Sequence, residues 1–174
     1  RIWSNTQARH AGGYVTWAGL KNKDATPTFG QNLTYFFKYQ IGWSYIRYFM
    51  WNFTGRQDDI QGKMDLHGNW ISGFDSLDEY FLGISQDNLP GDVINNKARN
   101  TYYFLPLLLG LIGLFFLFNR DKKLFWTMLV FFLFTGIAIQ VYTNVRPFEP
   151  RERDYSLVGS FYVFALWIGF GVFA

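Results

Sequence analysis

The sequence predicts an all-α integral membrane protein, a fragment of a polytopic helical bundle that carries an aromatic-rich segment at the membrane surface. Aromatic residues make up 22% of the 174 residues and charged residues only 17%, against about 25% charged in an average soluble domain. The charges are also uneven, with ten Lys/Arg and nine Asp/Glu in residues 1–100 but six and four in residues 101–174. Long charge-free runs fill that second part.

Residues 101–174 are predicted to form three transmembrane helices. The charge-free runs cover about residues 102–118, 124–142 and 155–174, and about 20 apolar residues suffice for a helix to cross a bilayer. The chain begins without Met and stops inside an apolar run, so we interpret it as an internal piece of a larger protein.

The loop between the first two predicted spans, residues 119–123, indicates the orientation. It holds three cations against one anion, and such loops concentrate in the cytoplasm. Residues 1–100 and 143–154 are then both on the opposite, outer face. Lys97 and Arg99 just before the first span count against this orientation, but the rule is weak next to a long preceding segment.

Glycines occur in the first and third predicted spans, at positions 110, 113, 169 and 171. They are small enough to let another helix approach, but they lack the four-residue spacing of the strong helix-dimer motif. We interpret them as ordinary membrane glycines.

The outer segment is predicted to contain an interfacial helix over about residues 29–53. Thr28 and Gln31 match a capping box, which indicates a helix start, and rings recur beyond it at helical spacing. Tyr and Trp favour the headgroup level of a membrane. A fourth span is the alternative, but its polar side chains, including Lys38 and Arg47, would need a protein-lined interior.

The rest of the outer segment is predicted to be mainly loops. Residues 52–62 change abruptly from rings to polar groups bounded by glycines, which indicates a loop at the membrane surface. Ser76–Glu79 matches a second capping box and predicts a short helix through Leu82, whereas Leu89–Asp92 predicts a turn. No strand pattern is convincing, and the clearest boundary is near Asn100.

Several classes of function are excluded or weakened. Without cysteine there is no disulfide framework, thiolate nucleophile or Cys-type metal site. The net charge of +3 comes with no Lys/Arg run of five or more, so a nucleic-acid partner is not predicted. Phosphate-loop, dinucleotide and metalloprotease motifs are absent. Asp65 and His67 lack a third ligand, so no metal site is predicted.

One cluster of ionisable residues leads into the third predicted span. Arginine has a planar, forked set of donors that suits the phosphate of a lipid-linked substrate. In the alternative interpretation, the three arginines and three acids of this cluster neutralise each other and anchor the span. The six residues are Arg146, Arg151, Arg153, Glu149, Glu152 and Asp154.

A second cluster follows the predicted interfacial helix, with Arg56 as a candidate substrate-binding residue. Asp58 and Asp59 are candidate catalytic residues, because a carboxylate can act as a general base or bind a divalent cation such as Mg²⁺ or Mn²⁺. The alternative, favoured on sequence alone, is that these acids are solvated or paired with Arg56.

Three tryptophans of the outer segment, Trp43, Trp51 and Trp70, suit stacking on sugar faces. An interfacial aromatic belt explains the same rings and is the simpler interpretation.

Several longer stretches resemble a family of large multi-spanning membrane proteins of Bacteroidetes bacteria. The stretches are PTFGQNL (27–33), RYFMWNF (47–53), GRQDDIQG (55–62), GNWISG (68–73), NTYYFLPLL (100–108), PRERDYS (150–156) and VGSFY (158–162). That family is regarded as a branch of the GT-C glycosyltransferase superfamily, related to protein O-mannosyltransferases and to an animal O-mannosyltransferase that acts on plexins.

The resemblance implies a multi-pass enzyme of the bacterial inner membrane, with residues 1–100 and 143–154 periplasmic and residues 119–123 cytoplasmic. Such an enzyme transfers a sugar from a polyprenyl-phosphate donor to Ser/Thr hydroxyls of exported proteins. It also implies that the main catalytic acid lies in an earlier outer loop, outside this piece.

Two other classes of function are compatible with a membrane fragment. A non-catalytic subunit of a larger inner-membrane secretion or envelope-assembly complex is the alternative, because aromatic residues and Arg are also enriched in interface cores. A transporter is disfavoured because the predicted spans contain no ionisable Asp, Glu, Lys, Arg or His to mark an ion path.

Overall fold

The computed structural model describes residues 8–22, 24–60, 62, 65–144 and 154–174, and these ranges are mostly helical. The predicted helical class is therefore confirmed. The α-helices are α1 (Ala8–Ala18), α2 (Phe29–Tyr35), α3 (Tyr48–Phe53), α4 (Asp75–Leu82), α5 (Gly91–Ile94), α6 (Leu105–Arg120), α7 (Lys122–Leu133), α8 (Ile139–Thr143) and α9 (Asp154–Phe173).

Two stretches of π-helix join α-helices into longer rods. Phe36–Arg47 connects α2 to α3, so residues 29–53 form one rod that we call the aromatic helix. Phe134–Ala138 connects α7 to α8 in the same way. Helices α6 to α9 together form what we call the C-terminal bundle.

Two helices of the described chain are long and apolar enough to cross a membrane, judged by length and composition. They are Lys122–Thr143, with 22 residues, and Tyr155–Phe173, with 19. The apolar helix α6 is shorter, with 16 residues. Residues 100 and 101 pair as a strand and Phe104 has a left-handed backbone, with φ of 60°, so α6 begins only at Leu105. The side chain of Asp121 caps α7, which follows α6 directly.

Helices α6 and α9 contact each other backbone to backbone. A Cβ placed on Gly113 would lie 1.8 Å from the carbonyl oxygen of Trp167, and one on Gly171 would lie 1.9 Å from the carbonyl oxygen of Leu109. Neither position can accept a side chain unless the helices separate. The interpretation of these two residues as ordinary membrane glycines is therefore wrong.

The other two glycines of these helices differ from each other. A Cβ on Gly110 would lie 2.3 Å from the ring of Phe164, so this glycine also belongs to the contact. Nothing lies within 4 Å of a Cβ on Gly169, where the original interpretation stands. Gly110 meets Phe164 and Gly113 meets Trp167, so α6 and α9 run in the same direction. Helix α7, which lies between them in sequence, runs in the opposite direction.

The aromatic helix begins as predicted. The Thr28 hydroxyl accepts from the Gln31 backbone N–H at 3.3 Å, and the Gln31 side chain accepts from the Thr28 N–H at 2.9 Å, so the capping box is confirmed. Tyr14 of α1 packs on this end, with its ring 4.3 Å from that of Tyr35.

The other end of the aromatic helix packs against the C-terminal bundle. The rings of Phe49 and Phe53 lie 4.7 and 4.6 Å from that of Phe164. Two of its polar side chains, Gln40 and Arg47, are only 2% and 7% exposed. The protein therefore surrounds these two polar side chains, as a fourth span would require. The aromatic helix is nevertheless not one of the two candidate spans.

A small antiparallel sheet follows, formed by β1 (Gly55–Arg56) and β2 (Asn100–Thr101). Arg56 pairs with Asn100 in the ladder and also bridges to Trp70. The expectation of no strands is wrong here, because strands of two residues are too short to show alternation in the sequence.

The predicted capping box at Ser76–Glu79 is also wrong. Helix α4 begins at Asp75 without a side-chain cap, and Asp78 instead turns inward to accept from the backbone N–H groups of Ser72 and Gly73 at 2.7 and 3.0 Å. The predicted end at Leu82 is confirmed.

Candidate functional site

A pocket of about 400 Å³ lies where the end of the aromatic helix meets β1 and the first half of α9. Two of its lining residues on α9, Val158 and Tyr162, are 62% and 64% exposed. The pocket therefore opens at the exposed surface of α9, one of the two candidate spans. Its lining residues are Tyr48, Trp51, Asn52, Arg56, Val158, Phe161 and Tyr162.

Helical spacing builds the pocket wall. Tyr48, Trp51 and Asn52 stand three and four positions apart and so share one face of the helix. The rings of Tyr48 and Trp51 stack at 5.4 Å, and Tyr48 lies 5.6 Å from Phe161 of α9. The result is an aromatic wall that joins two elements far apart in the chain.

Arg56 supplies the positive charge of the pocket. Its guanidinium carbon lies 4.0 Å from the centre of the Trp51 ring, an attractive cation–π arrangement. Its Nε is buried without a hydrogen-bond partner among the described residues. Since buried donors are normally satisfied, this nitrogen favours an acceptor supplied by a ligand or by water.

Asp58 lies behind the pocket and is fully buried. One carboxylate oxygen accepts from the backbone N–H groups of Ile60 and Gly68 at 3.0 and 2.9 Å. The other oxygen lies 3.0 Å from Nδ1 of His67. The backbone carbonyl of Asp58 accepts from the Trp51 indole at 3.0 Å. Asp58 therefore holds the loop that positions the tryptophan under Arg56.

This arrangement changes the interpretation of the two acids predicted to be catalytic. Asp58 is not solvated, as the sequence-based alternative had it, and its carboxylate oxygens already have three partners. Asp59 is exposed and accepts from the side chain of Asn96 at 3.0 Å. Neither lines the pocket, so a catalytic role for either remains a prediction without structural support.

The predicted phosphate-binding arginines Arg146, Arg151 and Arg153 lie outside the described residues. Helix α9 begins at Asp154, four residues before Val158 of the pocket wall. Their role as a phosphate grip stays a prediction.

Within the described ranges, no group of three or more His, Cys, Asp or Glu residues is placed to hold a metal ion. The side chain of Asp65 instead accepts from the backbone N–H of His67 at 3.0 Å. The suggested divalent cation is therefore unassigned to any residue of this part.

Sequence reasoning missed two kinds of residue at this site. His67 pairs with Asp58 although the two residues are nine positions apart in a loop. No spacing rule predicts contacts between loop residues. Tyr162 and Asn52 could have been found by asking which polar or aromatic residues share a helix face with Trp51 or follow the start of the third predicted span.

The ion pair predicts a pH-dependent stability of this loop. The hydrogen bond to Asp58 raises the pKa of His67 above 6.5, partial burial opposes the rise, and the charges of Asp58, Asp65 and Asp92 add to it. Because the pKa is higher in the folded state, the stabilisation is complete below about pH 6.5 and is lost as the pH rises through the folded value.

We therefore expect the thermal midpoint of the native protein to exceed that of His67→Gln by more at about pH 5.5 than at about pH 8.5. These two pH values lie on either side of the usual pKa of His. Circular dichroism melts of both proteins across this range measure the difference. An equal difference at both ends would contradict the assigned pairing.

Comparison with known proteins gives one partial match. Residues 1–37 match a family of unknown function, DUF8416. The matched part contains α1 and α2 and none of the residues that line the pocket. No curated protein and no solved structure matches the chain.

Proposed function

We propose that this chain is part of a membrane glycosyltransferase that uses a polyprenyl-phosphate-linked sugar as donor and Ser/Thr hydroxyls of exported proteins as acceptors. The observation that carries the proposal is the aromatic pocket with Arg56, open beside the candidate span α9. A lipid-linked substrate needs such a site, since its phosphate and sugar stay at headgroup depth while its tail stays in the bilayer.

The chemistry of the pocket fits the donor in three respects. The guanidinium of Arg56 can bind phosphate oxygens with two donors at once. The ring of Trp51 offers a face for a sugar. As the bond between sugar and phosphate breaks, negative charge grows on the departing phosphate, and a fixed cation stabilises that charge.

The proposal also includes the orientation expected from sequence. Helices α6 and α9 run in the same direction, so the chain preceding each of them would face one compartment, the periplasm. The loop at residues 119–123 would face the cytoplasm of the inner membrane. The first predicted span, the shorter apolar helix α6, would cross the membrane beside the two longer candidate spans.

Replacement of Arg56 tests the proposal. We expect Arg56→Ala in the full-length protein to lower sugar transfer by about tenfold or more, because a charge-assisted hydrogen bond contributes about 1.5–3 kcal/mol and 1.4 kcal/mol corresponds to tenfold. Arg56→Lys should recover only part of the rate, since Lys lacks the fork. Mass spectrometry of glycosylated acceptor peptides measures transfer.

Arg120→Ala is the matched control, because Arg120 ends α6 at the other end of the bundle and is exposed. It should keep the full rate. Normal transfer by Arg56→Ala in a correctly inserted protein would rule out this pocket as the donor site.

A second candidate function is that of a non-catalytic subunit of a membrane assembly. It is favoured by one stripe on the aromatic helix, where Phe29, Leu33 and Phe37 stand four positions apart and are 78%, 41% and 61% exposed. A helix of a partner protein would fit this stripe. Stoichiometric co-purification of a partner, together with unchanged glycans after gene deletion, would favour this function.

A further inference from the structure

Helix α4 presents an exposed apolar surface that the pocket and the bundle do not use. Phe74, Leu77, Tyr80 and Phe81 are 47%, 41%, 81% and 59% exposed, and their spacing places them within one arc at the helix and its N-terminal end. Asp75 and Glu79 lie on the opposite arc and are also exposed. We call these four apolar residues the α4 surface.

The α4 surface is continuous with the apolar exterior of α6. The ring of Phe74 lies 5.3 Å from that of Tyr103, and Trp70 connects Phe81 to Phe104 at 5.5 and 6.2 Å. Helix α6 begins directly after Phe104. Its exposed leucines, 61% at Leu105 and 53% at Leu108, extend the same apolar surface along the bundle.

Several contacts fix the position of α4 relative to α6. The inward carboxylate of Asp78 ties the helix to the backbone N–H groups of Ser72 and Gly73. The carbonyl of Ser72 in turn accepts from the N–H of Tyr103 at 3.1 Å. A Cβ on Gly73 would lie 2.8 Å from the Tyr103 ring, so the two segments are in direct contact. The orientation of the α4 surface is thus part of the fold.

We propose that α4 lies in the headgroup region of a lipid bilayer, with the α4 surface turned into the acyl boundary and the acidic arc turned to water. A helix with one apolar and one charged side binds membranes in this manner. Its charged side is acidic, so the contact depends on apolar burial and does not require anionic lipids. This proposal depends on insertion of the C-terminal bundle and not on sugar transfer.

The test measures the depth of single labelled positions in the full-length protein, in a version without cysteine elsewhere. Phe81→Cys, Tyr80→Cys and Glu79→Cys are each labelled with the environment-sensitive dye NBD and reconstituted into phosphatidylcholine vesicles. Ile112→Cys, exposed near the middle of α6, serves as a reference for the bilayer interior. Spin-labelled lipids that carry the quencher at a shallow or a deep position report the depth.

We expect shallow quenching at Phe81 and Tyr80 to exceed that at Glu79 by about twofold or more, as for a helix buried on one side, while Ile112 is quenched by the deep spin label. Added phosphatidylglycerol should leave these values unchanged. Two cysteine positions on the α4 surface guard against a single variant that misfolds.

Each other outcome overturns the proposal in an identifiable manner. Quenching at Ile112 without quenching at Phe81 or Tyr80 would show an inserted bundle whose α4 surface is covered by protein or exposed to water. A lack of quenching at all positions would show that the bundle itself does not enter the bilayer. Sugar transfer, assayed on the same preparations, separates these results from a failure of the proposed enzyme activity.

Discussion

Gly113→Ala is expected to destabilise the C-terminal bundle by about 2–3 kcal/mol, the upper part of the range for overpacking a core. The added Cβ would lie 1.8 Å from the carbonyl oxygen of Trp167 and 2.5 Å from the backbone nitrogen of Gly171. Both atoms belong to the backbone of α9 and cannot rotate aside. The helices must therefore separate, which also loosens the packing of Phe164 and Trp167 in the core.

An opposing effect makes the comparison with a control necessary. Alanine favours helix over glycine by about 1 kcal/mol, so the clash must exceed this gain. Gly169→Ala isolates the gain, because Gly169 lies on α9 with nothing within 4 Å of an added Cβ. Unfolding of purified protein in mild detergent, followed by circular dichroism, should show a lower midpoint for Gly113→Ala and an unchanged or higher one for Gly169→Ala. Equal midpoints would contradict the contact.

The aromatic helix and Gly113 show which parts of the fold could be predicted from the sequence and which could not. The start of the aromatic helix was predictable because Thr28 and Gln31 satisfy each other within one turn. The role of Gly113 was not, because the contact depends on a partner helix that begins more than 40 positions later, and spacing within one helix carries no information about it.

The failed capping box at Ser76 has a related cause. A capping box requires the residue at N3 to turn back on its own helix. The helix begins at Asp75, so Ser76 and Glu79 both lie inside it, and the acid between them, Asp78, binds the backbone N–H groups of Ser72 and Gly73. A local pattern was overridden by the need to satisfy buried backbone donors in the preceding loop.

The candidate site was predictable in part. Arg56 is recognisable as a candidate because it belongs to a dense cluster of ionisable residues after the predicted interfacial helix, and it lines a pocket in the structure. Asp58 is a catalytic candidate on sequence because a carboxylate can act as a general base or bind a divalent cation. The sequence carried no sign that this carboxylate is fully buried and bound to His67, since burial depends on how the loop folds back.

Asp58→Ala is expected to release the loop around residues 58–69, at a cost of about 3 kcal/mol, the upper end of the range for leaving a buried donor without its acceptor. The change leaves the N–H groups of Ile60 and Gly68 without an acceptor and His67 without its partner. Asp58→Asn keeps one acceptor oxygen for both N–H groups and should cost much less. Asp59→Ala is the control, because that acid is exposed.

Hydrogen exchange of peptides that cover residues 58–69 measures this local effect. A loss of about 3 kcal/mol corresponds to amide exchange roughly 100-fold faster, provided that local opening controls the exchange. Arg47 binds the Gly68 carbonyl and the Trp51 indole binds the Asp58 carbonyl, so the released loop would no longer fix the pocket wall. If Asp58→Ala exchanged no faster than Asp59→Ala, the buried carboxylate would not be what holds this loop together, and the pocket would need another support.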